Sequence, residues 1–228
     1  MSTETTGDRP LTIALAKGRI LEQTLPLLAH AGLTPLEDVQ KTRKLMVDGP
    51  AHGANGVRFL IIRAADVCTY VEQGAADLGI VGRDVLLESA PQVYEPLDLR
   101  IGRCRLCVCG PAELVAQGTP KRGSRIRVAT KYDKLTADHY RTHGVQADII
   151  HLYGSMELAP LVGMAERIVD LVETGSTLKA NGLVVEETLL EISSRLIANP
   201  ASFAVRGSEI KPIIERLRQA VVSMESAA

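Results

Sequence analysis

Short runs of β-branched and other apolar residues recur along the chain, separated by stretches in which apolar positions fall three and four residues apart. The runs lie at 12–16, 57–63, 77–81, 125–130, 147–153 and 167–173, each of strand length. Between them, 22–31 ends at Gly32 and 65–73 ends at Gly74, and a glycine just past a periodic apolar stretch stops a helix. Near the carboxyl end Ile210, Ile213, Ile214, Leu217 and Val221 keep helical spacing, with Ser208 placed as an N-cap. This alternation predicts an α/β fold. Residues 110–124, rich in Gly, Pro and charge, predict a loop near a lobe boundary. The expected division has the chain leave the first lobe near Arg103 and return near Glu186, so that 1–103 plus 186–228 make one discontinuous lobe and 104–185 the other.

Composition narrows the class. A chain of 228 residues that is 46% hydrophobic can bury a full core. Lys plus Arg number 26 against 27 Asp plus Glu, a formal charge of -1, so no whole-protein field gathers nucleic acid or anionic membrane, and any anion site must be local. Aromatics make up 3% with no Trp, which argues against a stacking platform for single strands. The polar start, 1–10, carries no signal-length apolar run, and no segment approaches the roughly 20 apolar residues of a membrane span. A cytoplasmic location is expected. Of the four cysteines, Cys104, Cys107 and Cys109 have a spacing that invites a metal, yet they sit in a run that reads as a buried strand. Alternation there sends Cys107 and Cys109 to one face and Cys104 to the other, so all four are expected to be reduced core residues. The five histidines show no metal spacing. His139 and His143 are an i, i+4 pair without an obvious third ligand in sequence, and no protein metal ligand is assigned.

The strongest chemical signal follows the run at 167–173. Asp170 lies near the strand's end, and Thr174, Gly175, Ser176 and Thr177 follow it. Hydroxyls and a close-approaching glycine backbone can converge on a phosphate monoester, and the upstream acid can accept from ribose hydroxyls. The same residues also make ordinary turns. After the first strand, Lys17, Gly18 and Arg19 put two cations at a strand's carboxyl end, where open α/β sheets bind ligands, and arginine can fork onto two phosphate oxygens. Arg43 and Lys44 add a second basic pair. Asp84 follows a glycine turn at Gly82 and reads either as a complement to a helix dipole or as a polar contact to a nucleotide. Tyr132, after a strand ending at Thr130, reads either as core or as an aromatic face for adenine.

Together these residues resemble the ATP phosphoribosyltransferase family along nearly the whole chain. The most specific segment is 157–178, with Glu157, Gly163, Ala165, Asp170, Thr174, Gly175, Ser176, Thr177 and Leu178 at the family's spacing. Ala16 to Ile20, Arg43 to Leu45, Ala76 to Gly79, Gly82 to Asp84 and Ala129 to Tyr132 match as well. The resemblance implies a two-lobed fold like type II periplasmic binding proteins, the type IV phosphoribosyltransferase fold, with the cleft between lobes. It implies that N1 of ATP attacks C1 of phosphoribosyl pyrophosphate and expels pyrophosphate, the first step of histidine biosynthesis. Thr174, Gly175, Ser176 and Thr177 would hold the 5-phosphate and Asp170 the ribose hydroxyls, with Glu157 in the same site. Arg19 and Arg43 would stabilise the leaving pyrophosphate with Mg²⁺ carried by the substrate phosphates, Arg43 reaching across a homodimer interface. Lys17, Asp84 and Tyr132 would serve ATP. The chain ends about a helix after Ser208, which implies the short form, controlled by histidine through a separate regulatory subunit resembling histidyl-tRNA synthetase. A solute receptor or the effector domain of a regulator would share the fold, and another phosphoribosyltransferase would share the sugar-phosphate loop. No export signal or helix-turn-helix supports the first two, and the third would differ around Lys17 and Asp84.

Overall fold

The computed structural model describes residues 9–226. Up to Gly102 the chain forms β1 (Leu11–Ala16), α1 (Arg19–His30), β2 (Met46–Asp48), β3 (Val57–Ile62), α2 (Ala64–Glu72), β4 (Leu78–Gly82), α3 (Arg83–Ser89) and β5 (Tyr94–Asp98). Then come β6 (Cys104–Pro111), α4 (Ala112–Val115), β7 (Arg125–Thr130), α5 (Asp133–Thr142), β8 (Gln146–His151), α6 (Leu158–Leu161), β9 (Arg167–Val172), α7 (Ser176–Ala180) and β10 (Leu183–Ile192). The chain closes with β11 (Ser194–Ala198), α8 (Pro200–Val205) and α9 (Gly207–Ser226). It divides into two compact units, one formed by the chain up to Gly102 and from Ser193 onward, the other by Arg103–Ile192.

The first unit is built on a six-stranded sheet in the order β2-β3-β1-β4-β11-β5. Its centre, β3-β1-β4, is parallel, and every residue of β1 is buried, as expected for a sheet covered on both faces. Alternation divides the two cores. Ile13 and Leu15 face α1 and α9, packing with Leu27, Leu28, Ile213 and Leu217, whereas Ala14 and Ala16 face α2 with Val67, Cys68 and Val71. Small residues on the second face let α2 approach closely. A Cβ on Gly79 would lie 2.7 Å from Val71 Cγ2 and 2.9 Å from Val67 Cγ1, so that strand position has room only for glycine.

The second unit holds a five-stranded sheet, β10-β6-β9-β7-β8. Strands β9, β7 and β8 are parallel, and β6 runs antiparallel between β9 and β10. The four cysteines are free and buried. Cys107 and Cys109 pack on one face with Ile168 and Val172 and Cys104 on the other with Leu106 and Val108, as the alternation requires. Burial pushes the Cys109 thiol up to about 12, so it stays protonated and inert.

Several expectations need correction. The return to the first unit falls at Ser193, not near Glu186, because β10 continues to Ile192 as a partner of β6. Its sequence carries three acids, and its pairing with β6 has two register shifts, which break the period-2 signal. Residues 110–124 are not all loop, since α4 forms directly after β6. Ser208 lies inside the first turn of α9, which starts at Gly207 directly beyond Arg206. The cap in this region is instead Asn199, whose side chain accepts from the Ser202 N–H at 2.8 Å and starts α8. Among the described residues no helix is long and apolar enough to cross a membrane.

Candidate active site

The parallel strands of each unit end in polar segments, and the sequence-derived candidates collect there, as they do in open α/β sheets. In the first unit, β1 ends at Ala16 and the chain turns at Gly18 into α1. Gly18 has φ 89° and ψ -151°, a region open essentially to glycine alone. The first turn of α1 has no side-chain cap, and the Leu21 N–H donates to the Gly18 carbonyl at 2.9 Å, so the positive end of the helix faces the end of β1. Beside it lies a cavity of about 490 Å³ lined by Lys17, Gly18, Glu22, Thr42, Arg43 and Lys44. The fold thus joins two basic segments that are more than twenty residues apart in sequence.

The three cations differ in how they are held. Lys44 Nζ pairs with Glu37 Oε1 at 2.5 Å. The side chains of Lys17 and Arg43 make no hydrogen bond or ion pair with any described residue. Arg19 is exposed and does not line this cavity, which separates it from Arg43. Asp84 is 6% exposed in the first turn of α3, folded back so that a Cβ on Gly82 would meet its Oδ1 at 2.2 Å. That placement matches the helix-dipole reading.

In the second unit the carboxyl ends of β7 and β9 bring together Lys131 and Asp170, Nζ to Oδ1 at 4.0 Å. Asp170 Oδ1 also accepts from the Leu171 N–H at 2.8 Å, and its side chain is 22% exposed. Beyond β9, Thr174 Oγ1 receives the Ser176 N–H at 3.4 Å and lies 3.1 Å from Ser176 Oγ. Gly175, with φ 76°, is left-handed, which orients the backbone at the start of α7 without strain. The side chains of Thr174, Ser176 and Thr177 are exposed. This is a concentration of hydroxyl and N–H donors beside an acid and a cation. Glu157 is half-buried immediately before α6.

Tyr132 does not fit its expected role. It is 2% exposed and packs in the core with Val108, Val128 and Val169, so no ring face is open to a base. Its N–H donates to Thr130 Oγ1 at 2.9 Å, a tight turn that carries the side chain back against the sheet. Lys131 Nζ instead sits 5.0 Å from its ring centroid, a cation-π contact that steadies the lysine beside Asp170. Sequence reasoning passed over Lys131, because nothing in the order of residues brings β7 next to β9. Tyr153, two residues beyond β8, is 93% exposed, with its ring 4.7 Å from that of His151.

The chain's likenesses agree with this geometry. A family model described as HisG, ATP phosphoribosyltransferase, matches residues 63–219. Relatives called ATP phosphoribosyltransferase from Bordetella pertussis and Pseudomonas aeruginosa are 52% and 53% identical to it over 215 and 212 residues. Each alignment covers 92% of this chain, and they cover 95% and 97% of the two relatives. Among solved structures, a chain of the ATP phosphoribosyl transferase (HisG:HisZ) complex from Thermotoga maritima matches with a TM-score of 0.79 and 29% identity, over 93% of this chain and 99% of that one. The periplasmic aliphatic sulphonate binding protein SsuA from Escherichia coli shares the fold at 12% identity, with a TM-score of 0.59 over 96% of this chain and 75% of its own. The fold is the two-lobed α/β fold expected from the sequence.

Proposed function

We propose, for a chain that belongs to the ATP phosphoribosyltransferase family, how its residues divide the work of transferring phosphoribosyl to N1 of ATP. The reaction breaks the C1–O bond to pyrophosphate, forms the N1–C1 bond and inverts C1, giving phosphoribosyl-ATP and pyrophosphate at the opening step of histidine biosynthesis. An oxocarbenium-like sugar with a departing polyanion calls for positioning and charge stabilisation more than for a protein nucleophile. The observation that carries the assignment is the donor loop at 174–177 directly beyond Asp170. Its three hydroxyls and the backbone at Gly175 suit a ribose 5-phosphate, and Asp170 suits the ribose hydroxyls. Lys131 beside Asp170, Nζ to Oδ1 at 4.0 Å, supports the same reading by adding a cation to the donor set. Glu157 is retained as a member of this site.

The cavity beside α1 suits phosphate chains. Lys17 and Arg43 line it without a partner among the described residues, and the amino-terminal end of α1 adds partial positive charge. Arg43 is assigned to the leaving pyrophosphate with Arg19 in support, and Lys17 to the ATP side. Phosphoribosyl pyrophosphate is taken as its Mg²⁺ complex, the ion held by substrate oxygens and water and neutralising part of the leaving group's charge. A homodimer across which Arg43 acts, a regulatory subunit resembling histidyl-tRNA synthetase, histidine control through it and a cytoplasmic location complete the reading. The likeness to a chain of a HisG:HisZ complex supports the partner.

Incubating the chain with ATP, phosphoribosyl pyrophosphate and Mg²⁺, with and without such a subunit, is expected to yield phosphoribosyl-ATP and pyrophosphate. No product in either arm, with another base accepted in place of ATP, would overturn the assignment. Thr177→Ala removes one hydrogen bond to a dianion, about 1.5–3 kcal/mol, which is roughly ten- to a hundredfold in affinity. Isothermal titration with phosphoribosyl pyrophosphate checks this, and unchanged binding would take Thr177 out of the site.

A further inference from the structure

His139 and His143 stand one turn apart at the end of α5, and the sequence gives them no third partner. The fold supplies one from β10. One ligand atom each from His139, His143 and Glu187 lie within 4.8 Å of one another, with His139 Nε2 already 3.5 Å from Glu187 Oε2. We propose that His139, His143 and Glu187 form a binding site for a zinc-like divalent cation in the second unit, separate from the residues assigned to phosphoribosyl transfer.

The bulge in β10 is what makes the site. Successive strand residues point to opposite faces, but the register shift between Val185 and Glu187 adds a residue and re-aims its neighbours. Glu186 then reaches Arg167, with Nε to Oε2 at 2.5 Å, both side chains buried. Glu187 turns toward His139, and both acids line one cavity with the two histidines. A regular strand would send one of the pair away.

His143 has outer-shell support of the kind metal-bound imidazoles use. His143 Nδ1 lies 2.8 Å from the His139 carbonyl oxygen, so that nitrogen carries the proton and Nε2 keeps its lone pair. A backbone carbonyl behind a ligating imidazole is the usual outer-shell support. In a tetrahedral site with bonds of about 2.0–2.1 Å, ligand atoms sit about 3.3 Å apart. The His139 to Glu187 spacing is close to that already, and His143, on the surface, can close by rotation.

The surroundings point to an open fourth position. The adjoining cavity, about 280 Å³, is also lined by Tyr140 and Glu186. Tyr140 is 3% exposed and the Glu186 side chain 5%, yet Tyr140 Oη and Glu186 Oε1 have no hydrogen-bond partner among the described residues. Buried polar atoms are rarely left so. A water on the cation would give both atoms a partner. Two imidazole nitrogens and one carboxylate select zinc-like ions over Mg²⁺ and Ca²⁺, which prefer oxygen donors.

Titrating the metal-free full chain with Co²⁺ should develop the visible d–d absorption of a low-coordinate nitrogen and oxygen site at one ion per chain. Zn²⁺ should abolish the signal and millimolar Mg²⁺ should leave it intact. His143→Ala and Glu187→Gln should each weaken binding more than about tenfold, and Zn²⁺ should raise the Tm of the parent chain but not of either variant. His143 is exposed, so its variant tests the site without disturbing the core. Unchanged binding in both variants, displacement by Mg²⁺, or a thiolate charge-transfer band placing the ion on the cysteines would each overturn the proposal.

Discussion

Asp77→Ala should destabilise the first unit by about 3–5 kcal/mol, the range for removing one partner of a buried ion pair. Asp77 is 0% exposed and sits just before β4, where its carboxylate gathers donors from two distant segments of the chain. Arg9 gives two, at 2.7 and 2.9 Å, and the Thr12 N–H a third at 2.8 Å. Ser202 Oγ follows at 2.7 Å and Arg206 at 3.2 Å. Arg206 is itself 2% exposed. Removing the acid leaves that guanidinium buried with Glu209 as its remaining carboxylate partner, and leaves the Thr12 N–H unsatisfied. Asp77→Asn keeps the shape and some of the acceptors, so its loss should be smaller. Urea unfolding, with hydrogen exchange at β1 and β4 reporting the first unit separately, measures both. A loss below about 1 kcal/mol for the alanine variant, the scale of an exposed pair, would mean that Arg206 finds compensation elsewhere.

That network also shows where sequence reading stops. The run at 77–81 announces β4, and the apolar periodicity beyond Ser208 announces α9, because burial on one stripe or in a doubly covered sheet leaves a local pattern. Nothing local says that Arg9, Asp77 and Arg206 meet. Strands β2 and β5 escape notice for another reason: they are short edge strands with exposed positions, and partner strands rather than hydrophobic pattern hold them. The candidate site divides in the same way. The donor loop at 174–177 is legible because its chemistry is contiguous. The meeting of Lys17 with Arg43, and of Lys131 with Asp170, depends on strand order and becomes visible only in the fold. Tyr132 reads equally well as core or as stacking face, since a lone aromatic after a strand carries no signal of direction, and the turn at Thr130 decides for the core.

Arg43→Ala should lower kcat by about 10²–10³, the usual effect of deleting one preorganised donor to developing charge, while the KM for phosphoribosyl pyrophosphate moves much less. The reasoning starts from what Arg43 does in the protein alone. It is exposed, lines the cavity beside α1 and has no partner among the described residues. Its removal therefore strands no buried charge, and stability should stay within about 0.5 kcal/mol, so lost activity cannot be ascribed to unfolding. Charge on the pyrophosphate oxygen grows as the C1–O bond breaks. A guanidinium placed to meet that oxygen acts more strongly on the transition state than on bound substrate. Arg43→Lys keeps a point charge but loses the planar fork, and should recover only part of the rate. Arg19→Ala should cost less than Arg43→Ala, because Arg19 does not line the cavity. Steady-state kinetics on the three variants separates these effects. A rise in KM with kcat unchanged in Arg43→Ala would reassign the residue to substrate binding and leave the leaving group to another cation, with Lys17 the next to test.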